Sequence, residues 1–192
     1  MKEAIIAAAL VAGIIVAWFI IRARAEDRKP AKLAGQETRQ AAVADLRNQA
    51  LTGTRAAFGL DPVATATTPW GVVMETGFPE GYFTLVALSD GSASIYLSSG
   101  GGSIGGGAHE TIRKASKTMV ALAAEFQPQA TATKEFALPK DGQTIFYLLT
   151  DTDVFTASAP EEDLGEERHA WSPLFHAGHE VISQYRIIEG RN

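Results

Sequence analysis

Apolar and polar positions alternate differently in three stretches of the chain. From Ala4 to Ile21, "AIIAAALVAGIIVAWFII", no residue carries a charge. As a helix this run spans about 27 Å, close to the roughly 30 Å of a bilayer's hydrocarbon layer. A core helix of that length keeps a polar face, and this run has none. Residues 1–25 are therefore expected to form a transmembrane anchor contacting lipid through residues 4–21, with Trp18 at the interface. The next stretch, "AKLAGQETRQAAVADLRNQALTG", is alanine-rich, with a thin apolar stripe of Leu33, Val43, Leu46 and Ala50, and Gly53 stops it. It reads as a juxtamembrane stalk helix, partly solvated or leaning on the domain. A small-residue linker without periodicity completes residues 26–69.

The third stretch, residues 70–192, reads as the globular part. "WGVVMETGF" and "YFTLVALS" are strand-like and meet at Pro79-Glu80-Gly81. Asp90-Gly91 then joins the second run to "ASIYLSS", a strong short hairpin signal. "HETIRKASKTMVALAAEF" places Ile112, Ala115, Met119, Leu122, Ala123 and Phe126 on one helical face. Three further strands are expected at "KEFAL", "QTIFYLLT" and "VFTASA". The acidic loop "PEEDLGEERHAW" follows, then a helix with Ser172 as N-cap and Pro173 at its first position. Short turns force antiparallel neighbours. The expected fold class is thus α+β: a two-layer domain of one mainly antiparallel sheet, in βββα-βββα order, covered by two helices.

Charge sets the expected location. Lys2 and Glu3 precede the apolar run, whereas Arg22, Arg24, Arg28, Lys29 and Lys32 follow it. Positive residues stay on the cytoplasmic side, so a single-pass inner-membrane protein with a cytoplasmic domain is expected. The alternative is a signal peptide cleaved after Ala23-Arg24-Ala25, which would make the domain periplasmic or secreted; the long apolar run and crowded arginines weigh against it. A formal charge of -5 supplies no basic face for nucleic acid. The absence of cysteine excludes disulfides, thiolate metal sites and cysteine nucleophiles.

Candidate chemistry centres on Gly100–Gly107, "GGGSIGGG". The run satisfies G-x-G-x-x-G, but that fingerprint belongs in a parallel βαβ unit, and antiparallel strands are expected here. It also satisfies G-x-S-x-G around Ser103, with Asp151 or Asp153 and His176 or His179 following in hydrolase order. Flanking glycines would hold such a serine loosely, which catalysis does not tolerate. Six glycines in the run accommodate almost any glycine spacing. The favoured expectation is a pliable crossover from strand to helix. Behind it stands a small-anion or nucleotide site built from Gly102, Ser103, Gly105, Gly106, Arg113 and Lys114. Serine catalysis through Ser103 and His176 ranks last.

His176, His179 and Glu180 are the candidate metal ligands, although helix-surface histidines outnumber ligands. Trp70 and Trp171 each sit just outside a predicted element, where packing at the core's edge outranks stacking on a ligand. No cofactor is called for. An anchor and a small domain without a coherent catalytic set lead to the expectation of a protein-binding or scaffolding module for an unidentified protein partner. An anion sensor using the glycine run is the alternative.

Overall fold

Turn chemistry closes the hairpins from which the sheet grows. The computed structural model describes residues 35–190. A helix, α1, covers 35–52. Four strands follow, β1 (Gly71–Phe78), β2 (Gly81–Leu88), β3 (Ala93–Leu97) and β4 (Gly101–Ile104), and lead into α2 (Glu110–Phe126). The second half comprises β5 (Thr131–Thr133), β6 (Gln143–Leu149), β7 (Val154–Pro160), the short α3 (Glu161–Gly165) and α4 (Ser172–Glu189). Pro79 and Glu80 alone connect β1 to β2, pairing Phe78 with Gly81. Between β2 and β3 the Asp90 carboxylate accepts bonds from the Ser92 amide and hydroxyl, at 2.8 and 2.7 Å. The seven strands form one sheet in the order β4-β3-β2-β1-β6-β7-β5, every neighbouring pair antiparallel.

The α+β class and the antiparallel sheet agree with expectation; the layering does not. One face of the sheet, carrying Val72, Met74, Leu85, Phe146 and Leu148, packs beneath α2 and α4. The other face, carrying Val73, Val86, Tyr147 and Leu149, packs against Val43, Ala50 and Leu51 of α1. The domain therefore has three layers rather than two. This explains why β1 and β6 read as near-continuous apolar runs, since both faces are covered. The compact unit runs Gln40–Asn192, so residues 40–69, expected as stalk and linker, belong to the folded domain. Of the remaining unit, Met1–Arg39, only the helical residues 35–39 fall among those described. The anchor expected over residues 1–25 lies outside the described residues. Among the described residues no helix is long and apolar enough to cross a membrane.

Two strand assignments and one helix cap need correction. The glycine run contributes a fourth strand, β4, to the first block, so the order after α1 is ββββα-βββαα. "KEFAL" has no regular structure; the strand lies just before it, at Thr131–Thr133, and pairs with β7 rather than β6. The Arg47 side chain and the Tyr147 hydroxyl bind the carbonyls of Phe136 and Ala137, taking that backbone out of any ladder. Ser172 begins α4 from its first turn, and Trp171 occupies the cap. Trp171 lies 5.2 Å from the Phe126 ring and 5.4 Å from the Phe146 ring, and Trp70 is buried in the opposite core, so both tryptophans serve packing. The acidic stretch is a short helix, with Arg168 bridging Glu162, Asp163 and Glu166.

A carboxylate lies at the centre of the sheet. Glu75 on β1 is 0% exposed and faces α1. Arg47, reaching down from α1, binds it in a two-pronged pair, Nε and Nη2 each at 2.7 Å, and the Thr84 hydroxyl donates a third bond at 2.6 Å. Burial works against the Arg47 charge, but the hydrogen bond and charge of Glu75 outweigh it, and the guanidinium pKa is raised. Beside the pair, burial and then the Glu75 charge push the Tyr147 hydroxyl up to about 12. Removing one member of a buried pair strands the other in low dielectric. Arg47→Ala is accordingly expected to lower stability by about 3–5 kcal/mol in urea denaturation. Arg47→Met combined with Glu75→Leu is expected to recover most of that loss.

Candidate functional site

The glycine run is ordered, and its order comes from contacts in which side chains have no room. β4 pairs with β3 through Ser94↔Ile104, Ile95↔Ser103, Tyr96↔Gly102 and Leu97↔Gly101. Gly102 adopts φ +146°, and a Cβ there would stand 2.0 Å from the Ile95 carbonyl oxygen. Gly106 meets the Tyr185 ring of α4 so closely that a Cβ would lie 2.1 Å from its hydroxyl. The Gly106 amide donates to that hydroxyl at 3.1 Å, and the hydroxyl donates to the Ala93 carbonyl at 2.6 Å. One tyrosine thus joins β3, the glycine run and α4. Burial pushes its hydroxyl up to about 12, with the Gly106 amide pulling the other way. The pliable crossover expected here is instead a strand and a tight docking turn.

This arrangement separates the residues that an anion site would need. The Gly106 amide is taken by Tyr185, and the Ala108 and His109 amides bond to the Gly105 and Gly106 carbonyls. Arg113 turns back to donate to the Gly107 carbonyl at 2.9 Å. Lys114 lines a different groove, between α2 and α4, with Thr111, Glu180 and Gln184. Of the candidate anion ligands, only Gly102 and Ser103 share a cleft.

That cleft, of about 400 Å³, runs between the flank of α4 and the β2–β3–β4 edge. Phe83, Ile95, Leu97 and Ile182 form its apolar walls, with Ser103, His179, Arg186 and Glu189 among them. His179 and Glu189 are ten positions apart on α4, so the cleft extends roughly 15 Å along the helix. The Ser103 hydroxyl donates to the Glu189 carboxylate in a short contact. An imidazole is what a nucleophilic serine needs there, and the bonded partner is an acid. Asp151 binds Arg55 at the β6–β7 turn, and β6 lies four strand spacings from β4, roughly 19 Å. His176 is exposed, 3.9 Å from Glu167.

His179 packs 4.2 Å from the Phe175 ring and edge-on to Phe83, and its Nε2 is buried without a hydrogen-bond partner. Burial, then Arg186 and His176, lower its pKa. Glu180 accepts a bond from Gln184. Among the described residues no three His, Cys, Asp or Glu side chains converge on a metal position.

A second groove lies on the α1 side of the same edge. It holds about 290 Å³ between Leu46, Ala50 and Phe58 and the strand residues Val86, Tyr96 and Ile104. Ile104 is 69% exposed and Leu97 41%. Among the described residues nothing pairs with the outer side of β4. This edge, with an apolar groove on each face, went unseen in the sequence because glycines obscured the strand. "SIYLSSGGGSI" does hold two short β-like runs about a Gly100 turn, and that was the available signal. Compared with protein-family models, curated proteins and solved structures, the chain matches none.

Two outcomes follow from the tyrosine and the histidine. Tyr185→Phe leaves the Gly106 amide and Ala93 carbonyl unpaired and is expected to cost about 1–3 kcal/mol in thermal or urea unfolding. Tyr147 and Tyr185 ionise in the unfolded chain near 10 and in the folded domain near 12. The stability they contribute is complete below pH 10 and is lost as pH rises from 10 to 12. For His179 the sign is opposite: stability is complete above pH 6.5, its ordinary pKa, and is lost as pH falls below it. Melting temperature across pH should decline at both ends, and His179→Phe should flatten the acidic limb.

Proposed function

We propose that this chain is a single-pass, membrane-anchored protein-binding module whose α+β domain takes up an extended segment of a partner along the β4 edge. The observation that carries this reading is β4 itself, a strand that none of the described residues pairs with on its outer side, with an apolar groove on each face. Successive side chains of an added strand point to opposite faces. They would enter the α4 cleft and the α1 groove alternately. Backbone hydrogen bonds would supply affinity, and the two grooves selectivity. The anchoring half of the proposal rests on the uncharged run Ala4–Ile21, and a cytoplasmic domain on the positive residues that follow it.

An anion or nucleotide sensor is less well supported, because the amides and the arginine it needs are spent within the fold. Serine hydrolysis has no imidazole bonded to Ser103 to support it.

The test is a photo-reactive residue placed at position 104 of the full chain in living cells, with position 133 on the opposite edge as control. An adduct of discrete mass is expected from 104 and not from 133. Gly102→Val, which disrupts β4 at the Ile95 carbonyl, should remove the adduct. Equal labelling from both edges, or none from 104, would refute the proposal.

A further inference from the structure

The β4 edge has the properties of a surface that fits itself. A strand that extends a sheet by pairing antiparallel with its own copy does so about a two-fold axis perpendicular to the sheet. Such an axis keeps each residue on its own face, so a residue can stand opposite only itself or one an even number of positions away. With Ser103 opposite the partner's Ser103, Gly102 stands opposite the partner's Ile104.

Within the chain Gly102 already stands opposite Tyr96. The row across both copies therefore reads Tyr96, Gly102, then the partner's Ile104, and the two-fold repeats it in reverse. Gly102 has no side chain between the two large ones. The exposed Ile104 of each copy can lie across that gap onto the other copy's tyrosine, which removes from water the most exposed of the large apolar side chains among the described residues. A bare glycine between a buried-side aromatic and an outward isoleucine suits this register. Ile104 keeps its place on the α1 side in every register the axis allows, because its pairing with Ser94 fixes its face.

The flank of α4 beside this edge carries charge of both signs. Arg186 and Glu189 lie one helical turn apart and line the same cleft. Each Glu189 bonds its own Ser103, so a two-fold axis near Ser103 sets the two acids close together, with an Arg186 one turn from each to offset their repulsion.

We infer that the occupant of the β4 edge is a second copy of this chain, paired antiparallel about a two-fold axis at Ser103. The inference rests on the reading of β4 as the docking edge and adds the identity of what docks there. A shared membrane would favour so short a pairing by raising the effective concentration of the two copies.

The chain has no cysteine, so one engineered thiol reports without background. Opposed residues in an antiparallel pair have Cα atoms about 4.5–5.5 Å apart, within the span a disulfide bridges. Ser103→Cys in the full chain, oxidised in the fraction where it is expressed, is expected to give a species of twice 20.4 kDa. Thr133→Cys, on the opposite edge, should not. Adding Ile104→Lys, which sets a charge against the partner's edge, should cut the crosslinked yield about tenfold while leaving the melting temperature near that of the parent. Because Ser103→Cys also removes the bond to Glu189, light scattering of the unmodified chain supplies an independent measure. Its expected result is a dimer that becomes monomeric on Ile104→Lys.

A monomer by scattering with no crosslink at 103, or a dimer that crosslinks at 133 and ignores Ile104→Lys, would overturn the inference. If the chain is monomeric yet the photo-probe at 104 yields an adduct of another mass, the docking edge stands and the second copy falls. If the probe yields nothing, both fall.

Discussion

A charged pair in the middle of a sheet constrains everything around it. Glu75 on β1 has no contact with water, so its charge must be answered from within the fold. Arg47 answers it with two parallel bonds, a geometry that only a guanidinium supplies. Meeting that requirement fixes α1 over β1, β2 and β6. The helix then covers the Val73, Val86 and Leu149 face, and Arg47 Nη2 also donates to the carbonyls of the segment before β6. Such pairs give little net stability compared with apolar replacements. What this one contributes is position, because any other seating of α1 leaves a carboxylate buried alone.

Much of the framework could be read from residue patterns because it depends on local chemistry. Pro79-Glu80 and Asp90-Gly91 close their hairpins as their backbone preferences dictate, and the stripe from Ile112 to Phe126 lies against the sheet. α1 was harder to place. Its stripe of Val43, Ala50 and Leu51 is thin, and the anchoring group is an arginine, a residue that ordinarily signals solvent. The one hint was Glu75, a lone charge among the apolar residues of β1. A buried acid requires a buried base, but no spacing rule says which of seventeen lysines and arginines provides it.

The glycine run shows the opposite failure. Motif spacing suggested ligands, and composition suggested slack, whereas the requirement for glycine comes from what approaches it. Ile95, on the adjoining hairpin strand, and Tyr185, far along the chain, leave no room for a Cβ at Gly102 and Gly106. Non-local steric demands of that kind leave no periodic signature. The candidate site suffers likewise, since its walls come from four elements and its carboxylate from the far end of α4. Ser103, singled out for catalysis, does belong to the cleft, with a structural partner in Glu189.

The tyrosine latch also bears on the order of events during synthesis. Tyr185 follows Gly106 by 79 positions and Ala93 by 92. At 5–20 residues per second, a ribosome needs roughly 4 to 16 s to bridge the shorter interval. Throughout that time β3 and the glycine run have emerged without the phenol that fastens them. A nascent chain is thus obliged to keep β4 unlatched until its last described helix exists.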